Sequence, residues 1–220
     1  MVADVPSARE ARETLRASVA RRARELAGST SATDADAVEA FVTRYYAQLV
    51  IDDVALSNAD QLARAALSHW RLGARRPPAT PIVSVRTPTT ASESWDAPHT
   101  VVDIVTDDMP FVVDSATMAL DRHSLGIHLV VHPVLDVQRD AEGVRTEGGR
   151  AVRESWVHIE VDRETSADIL EAVRADVERA LDDVRASTSD WLEMLGALDT
   201  VRDDLDEHAP PCDPDELGEG

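Results

Sequence analysis

Lysine is missing from this 220-residue sequence, and all 22 of its basic residues are arginine. A lysine base or Schiff-base nucleophile is therefore excluded. Cysteine occurs once, at Cys212, which rules out an internal disulfide framework and cysteine-rich zinc sites. Its setting among Pro and Asp predicts an exposed, incidental thiol. Aromatic residues make up 4% of the chain, leaving little for base stacking, and 42 acidic against 22 basic residues give a net charge of -20 that repels a polyanion. No nucleic-acid partner is expected. No apolar run approaches the roughly 20 residues of a membrane span, and the opening MVADVPSARE lacks the basic and apolar regions of a signal peptide. The expectation is a cytoplasmic protein without a membrane partner. No GxGxxG follows a strand, no Walker loop is present, and no helical His pair suggests a metalloprotease, so no cofactor is expected in this chain.

What the sequence does contain is a 43% apolar fraction, in the globular range, at a length that suits one domain with appendages or two small ones. Its most ordered stretch is Asp107 to Gln138. Pro110 suits the first turn of a helix because its φ is fixed and its missing N–H is not needed there. Asp107 and Asp108 precede the positive end of that helix. Val113, Ala116, Thr117 and Leu120 then recur at helical spacing, predicting a helix over 110–124 that Gly126 ends in a left-handed turn. From Ile127 the period changes to 2, predicting a strand over 127–138.

Earlier in the chain, Ser7 and Glu10 have capping-box spacing, and Ala11, Leu15, Val19 and Leu26 form a thin stripe ending at Gly28. A linker over 28–33 leads to a second helix from about Asp36, whose stronger face carries Val38, Phe41, Val42, Tyr45 and Leu49. Val50 to Ser57 reads as a loop. Asn58 caps a third helix that Gly73 and Pro77-Pro78 stop, with His69 and Trp70 late in it, read as a satisfied histidine and a half-buried ring. Strands over 82–86 and 100–106, joined by a polar loop, are expected to pair antiparallel. Residues 139–150 read as a hairpin loop, 154–162 as a strand, 166–185 as an amphipathic helix, and Trp191 to Val201 as a further helix before an acidic tail.

Candidate chemistry is sparse. His128, His132 and His158, with Asp103 or Glu160, are the best metal candidates if their strands adjoin. His128 and His132 stand four strand residues apart, roughly 13 Å, too far to share one ion, and the reading adopted is a polar sheet face packed against another module. Ser115, beside Asp114, lies two helical turns from His123, too distant for a nucleophile and its base. No catalytic, cofactor-binding or metal residue is assigned. Exposed apolar positions Val130 and Val134 suggest a docked second module.

The acidic residue, Pro, apolar helix and Gly-Ile-His-Leu series resembles the first β–α–β of an ACT domain. More specifically, IVTDDMPFVVDSATMALDRHSLGIHLVVHP, with ALSHWRLGARRPP before and ESWVHIEVDR after, resembles the N-terminal ACT-like region of the large bacterial NAD-dependent glutamate dehydrogenases, from about Phe41 to Leu198. The resemblance implies an α+β fold. An ACT-like (ferredoxin-like) antiparallel sheet with two covering helices at 77–187 would follow an N-terminal helical region at 1–76 and precede a C-terminal helix and acidic tail at 188–220. In the βαββαβ order of ACT domains the sixth element is missing, and strand 82–86 is expected to take the fourth sheet position. At Phe111 the chain departs from amino-acid-binding members, which usually carry Gly there.

The resemblance also implies a non-catalytic regulatory or assembly module, a piece from the front of an oligomeric enzyme that oxidises L-glutamate with NAD to 2-oxoglutarate and ammonia. NAD and its chemistry would belong to that parent enzyme. Partners would be its downstream domains or other subunits and an amino-acid effector, for which Asp107, Asp108, Met109, Pro110 and Phe111 are the candidate site. The alternative is a free-standing amino-acid sensor.

Overall fold

Amphipathic stripes build the three helices that open the chain. The structure, a computed structural model, describes residues 8–28, 35–48, 58–93 and 95–208. Ser7, linker residues 29–33, Leu49, the Val50 to Ser57 loop expectation and Cys212 lie outside the described residues. Helix α1 (Ala8–Gly28) buries Val19, Ala20, Ala23 and Ala27, and α2 (Ala35–Tyr45) buries Val38, Phe41, Val42 and Tyr45. Helix α3 (Ala59–Leu72) starts where expected, because the Asn58 side chain accepts the Gln61 N–H at 2.8 Å and so satisfies an orphan donor. It stops at Gly73, where a Cβ would lie 2.1 Å from the Trp156 ring. Close approach of that ring, rather than a left-handed backbone, is what requires glycine.

The sheet has five antiparallel strands: β1 (Ile82–Arg86), β2 (Thr100–Asp107), β3 (Ile127–Val131), β4 (Val134–Arg139) and β5 (Arg150–Val161). Their order is β1-β2-β5-β3, with β4 also on β5, so the early strand takes the outer position beside β2. The single strand expected over 127–138 is two. His132 and Pro133 interrupt it, since Pro has no N–H to give the ladder, although the Pro133 carbonyl still accepts from Trp156 N at 3.0 Å. Strand β5 begins four residues earlier than expected, because the hairpin after β4 continues its ladder out to Arg139 and Arg150.

A one-turn helix α4 (Thr90–Glu93) lies in the loop between β1 and β2, and α5 (Val112–Asp121), α6 (Ala167–Thr188) and α7 (Trp191–Glu207) complete the elements. Helix α5 differs from expectation at both ends. Phe111 is its N-cap in a left-handed conformation (φ 64°), so Pro110 lies outside the helix, and Ser124 (φ 57°) rather than Gly126 makes the left-handed turn that follows. A bulky residue there strains the backbone by about 1–2 kcal/mol.

Alternation along β2 and β5 divides the core in two. Val102, Ile104, Val157, Ile159 and Val161 face Ala116, Leu120, Val173, Val177 and Leu181 of α5 and α6. Val105, Trp156, Leu129, Val131 and Leu135 face the other way, onto Phe41, Tyr45, Leu62 and Ala66 of α2 and α3. The polar face expected to meet another module is thus covered by the chain's own helices, while Val130 and Val134 stay 39% and 37% exposed. Among the described residues no helix is long and apolar enough to cross a membrane.

Candidate functional site

The loop over 107–111 was the leading candidate, and its two acids point into the protein's own arginines. Asp107, at the end of β2, accepts from Arg76 Nη2 at 2.6 Å and Arg185 Nη1 at 2.8 Å. Burial alone would raise its carboxyl, and these two guanidiniums hold it below the usual range. Asp108 accepts from Arg153 Nε and from the Ser155 hydroxyl, each at 3.0 Å. Met109 packs partly buried against the α5–α6 core, Pro110 is exposed, and the Phe111 side chain is largely in solvent. The five residues are contiguous but divided in role: Asp107 and Asp108 brace β2 against its neighbours, and Phe111 faces outward.

Beneath this loop lies a site that the sequence reading missed. Glu154 of β5, fully buried, accepts from Arg76 Nε at 2.7 Å, from Arg139 Nε and Nη2 at 2.7 and 2.9 Å, and from Trp156 Nε1 at 3.2 Å. A buried carboxylate requires such compensation. In sequence Arg76 is only the second member of a short basic pair with Arg75. Its one signal was its position between a helix stop and the Pro77-Pro78 pair.

A second grouping lies under α3 and joins the expected candidates His158 and Asp103 to His69, the histidine read as satisfied. His69, Asp103 and His158 are all buried, and their ligand-type atoms lie within 4.8 Å of one another, the spacing of a metal cluster. Hydrogen bonding gives them a different role. His69 Nε2 donates to the Ile104 carbonyl at 3.2 Å, so its Nδ1 carries no proton and accepts from the Tyr45 hydroxyl at 2.8 Å. Burial lowers this imidazole to about 4, and it is neutral at ordinary pH. His158 is the opposite case. Burial would lower it, but Asp103 Oδ1 lies 2.6 Å from its Nδ1 and lifts it to about 9. Burial would raise Asp103, and the charged Arg86 and His158 hold its carboxyl far below the usual range.

A tetrahedral ion with bonds of about 2.0–2.1 Å keeps its ligands roughly 3.3 Å apart. Here the Oδ1 to His158 separation is a 2.6 Å hydrogen bond, and the other carboxylate oxygen is taken by Arg86 Nη2 at 2.7 Å. In this arrangement both carboxylate oxygens are taken, one by His158 and the other by Arg86.

The other expected metal ligands diverge. His132 Nε2 meets the Ser155 hydroxyl at 3.1 Å, on the face of β5 opposite His158. His128 Nε2 pairs with Asp162 at 2.7 Å and stacks on His99 at 4.2 Å, while His99 Nδ1 meets Glu160 at 2.8 Å. Together these form a polar track along the sheet edge. His123 meets Asp176 of α6 at 2.8 Å, so it ties α5 to α6 and does not approach Ser115 as a base would.

Residues 41–177 match the family model described as "Glutamate dehydrogenase, ACT1 domain". The chain belongs to this family. The ACT1 match starts at Phe41 on α2, whose ring centroid lies 5.0 Å from that of Trp156, so the matched region includes helices from the sheet's polar side. The chain is also 32% identical over 181 residues to an NAD-specific glutamate dehydrogenase of Halomonas elongata, covering 79% of this chain and 11% of that protein. It is 30% identical over 164 residues to an NAD-specific glutamate dehydrogenase of Pseudomonas aeruginosa, covering 71% and 10%. The ACT1 chain therefore spans about a tenth of the length of the curated relatives it matches.

Proposed function

We propose that this ACT1 domain is a non-catalytic regulatory and assembly module of an NAD-dependent glutamate dehydrogenase. Oxidation of L-glutamate to 2-oxoglutarate and ammonia, NAD binding and the cytoplasmic setting of that reaction belong to the parent polypeptide. The observation that carries this reading is the state of the buried polar groups. Among the described residues, His69, Arg76, Thr100, Asp103, Thr106, Arg139, Glu154, Ser155 and His158 are buried, and each is hydrogen-bonded within the chain. General acid–base work needs a group that is poised and within reach of a substrate. Arginine-clamped carboxylates and a hydrogen-bonded imidazole pair suit bracing instead.

The strand order β1-β2-β5-β3 supports reading the sheet as ferredoxin-like, entered at the strand that usually comes last. The division into 1–76, 77–187 and 188–220 is kept as a proposal, and the core shared by Phe41, Tyr45 and Trp156 supports folding of the first two as one unit. Asp107, Asp108, Met109, Pro110 and Phe111 remain the proposed effector position. An amino acid there must compete with Arg153 for Asp108 and with Arg76 and Arg185 for Asp107, so binding is expected to be weak. Downstream domains or other subunits of the enzyme are the proposed partners.

The test uses the purified chain. No NADH should form with glutamate and NAD, and calorimetry against glutamate, aspartate and branched-chain amino acids should give no saturable heat. Turnover would refute the non-catalytic reading, and saturable micromolar binding would favour the free-standing sensor.

A further inference from the structure

We propose that α7 of one copy docks along the groove between α5 and α6 of a second copy of this chain, and that the exchange is reciprocal. Among the described residues two exposed helix faces, one apolar and one carrying two large apolar side chains, share the same spacing. On α7, Met194, Leu198, Val201 and Leu205 recur at steps of 4, 3 and 4 and are 50–63% exposed. On the outer side of α5, Phe111, Ser115, Met118 and Arg122 recur at the same steps, with Phe111 and Met118 each 64% exposed. Either series covers roughly 16 Å at about 1.5 Å per residue. Steps of 3 and 4 keep a stripe facing a partner helix. The α5 series, with Ala180, Val184 and Ser187 of α6, lines a groove of about 440 Å³.

The exposure of the α7 stripe shows that none of the described residues covers it. Ser189 keeps right-handed helical dihedrals (φ -56°, ψ -39°), so the α6–α7 junction holds no sharp reversal at that residue that would fold α7 back over α5. Charge then selects the occupant of the groove. Helix α7 carries Glu193, Asp199, Asp203, Asp204, Asp206 and Glu207 against Arg202 alone, and a chain of net charge -20 repels it over most of its surface. The groove is balanced instead, with Arg122 and Arg179 against Asp176 and Asp183, and Arg122 makes no ion pair among the described residues. The acidic flanks of α7 therefore meet a neutral strip with an available guanidinium. Two such contacts about a two-fold axis double the area toward the roughly 1,200–2,000 Å² of specific interfaces. The left-handed Phe111 fits the same account, since it directs a ring into the groove mouth instead of the core.

Light scattering coupled to size-exclusion chromatography of the whole chain tests this. The expected mass is that of a dimer, and Met118→Asp and Leu198→Asp should each halve it while leaving the far-ultraviolet dichroism unchanged, since both side chains are exposed. Met118→Cys mixed with Leu198→Cys, both on a Cys212→Ser background, should give a mixed interchain disulfide. A monomeric wild-type chain overturns the proposal. So does a dimer indifferent to either substitution, or a monomer that uses these surfaces to bind other parts of the parent polypeptide. None of these outcomes touches the family assignment.

Discussion

Asp103→Asn gives the sharpest test of the buried network, because it keeps the side-chain volume and removes one charge. Arg86 would keep Glu93 at 2.6 Å, whereas His158 would lose the carboxylate 2.6 Å from its Nδ1. An imidazole lifted from 6.5 to about 9 corresponds to roughly 3 kcal/mol at about 1.4 kcal/mol per pH unit. Breaking a buried ion pair from one side costs about 3–5 kcal/mol, so the two routes agree. At about 2–4 °C per kcal/mol for a chain of this size, Tm should fall by roughly 6–20 °C.

The pH dependence is the more specific readout. Between pH 6.5 and about 9 the folded wild type holds a proton on His158 that the unfolded chain has released, so stability falls as pH rises through that window. In Asp103→Asn this alkaline limb should flatten. The acid limb should persist in both proteins, because the unfolded chain protonates His69 below 6.5 and the folded chain resists until about 4. Urea unfolding followed by tryptophan fluorescence across pH 5 to 9 measures both limbs. An unchanged alkaline limb in the variant, or a loss under about 1 kcal/mol, would refute the assigned His158–Asp103 pair.

Three further predictions follow from packing and capping. Gly73→Ala sets a methyl 2.1 Å from the Trp156 ring and should destabilise by about 1–3 kcal/mol or more, visible as a lower urea midpoint and altered near-ultraviolet dichroism. Glu154→Gln leaves Arg76 and Arg139 buried around an uncharged amide and should lose about 3–5 kcal/mol, and a Tm within a degree of wild type would contradict the buried cage. Asn58→Ala removes the α3 cap and should lose about 1 kcal/mol by thermal unfolding, with no change in the alkaline limb.

Much of the architecture is written in local patterns. Asn58 and Gly73 bound α3 as expected, the pairing of 82–86 with 100–106 follows from two short strands on one polar loop, and of the α6 stripe Val173, Val177, Leu181 and Val184 lie in the core while Ile169 at its start is exposed. Such signals are legible because helix and strand periods concern neighbours a few residues apart. The buried polar groupings are not local. His69 meets the Ile104 carbonyl across 35 positions, and Arg76 meets Glu154 across 78. Nothing in periodicity says which acid an arginine will find. Phe111 escaped for a related reason, since Pro110 satisfies the rule for a helix start and the left-handed turn appears only once β2 and α5 are joined.

The residue pattern alone determined that this chain alternates helix and strand around 107–138, carries no lysine chemistry and resembles an ACT-like region, because composition and period act along the backbone. Tertiary structure decided that α2 and α3 close the sheet's polar face, and that Asp107, Glu154 and Asp103 hold arginine and histidine rather than facing solvent. Burial makes every unpaired charge expensive, so the partner of each is fixed only where distant segments meet.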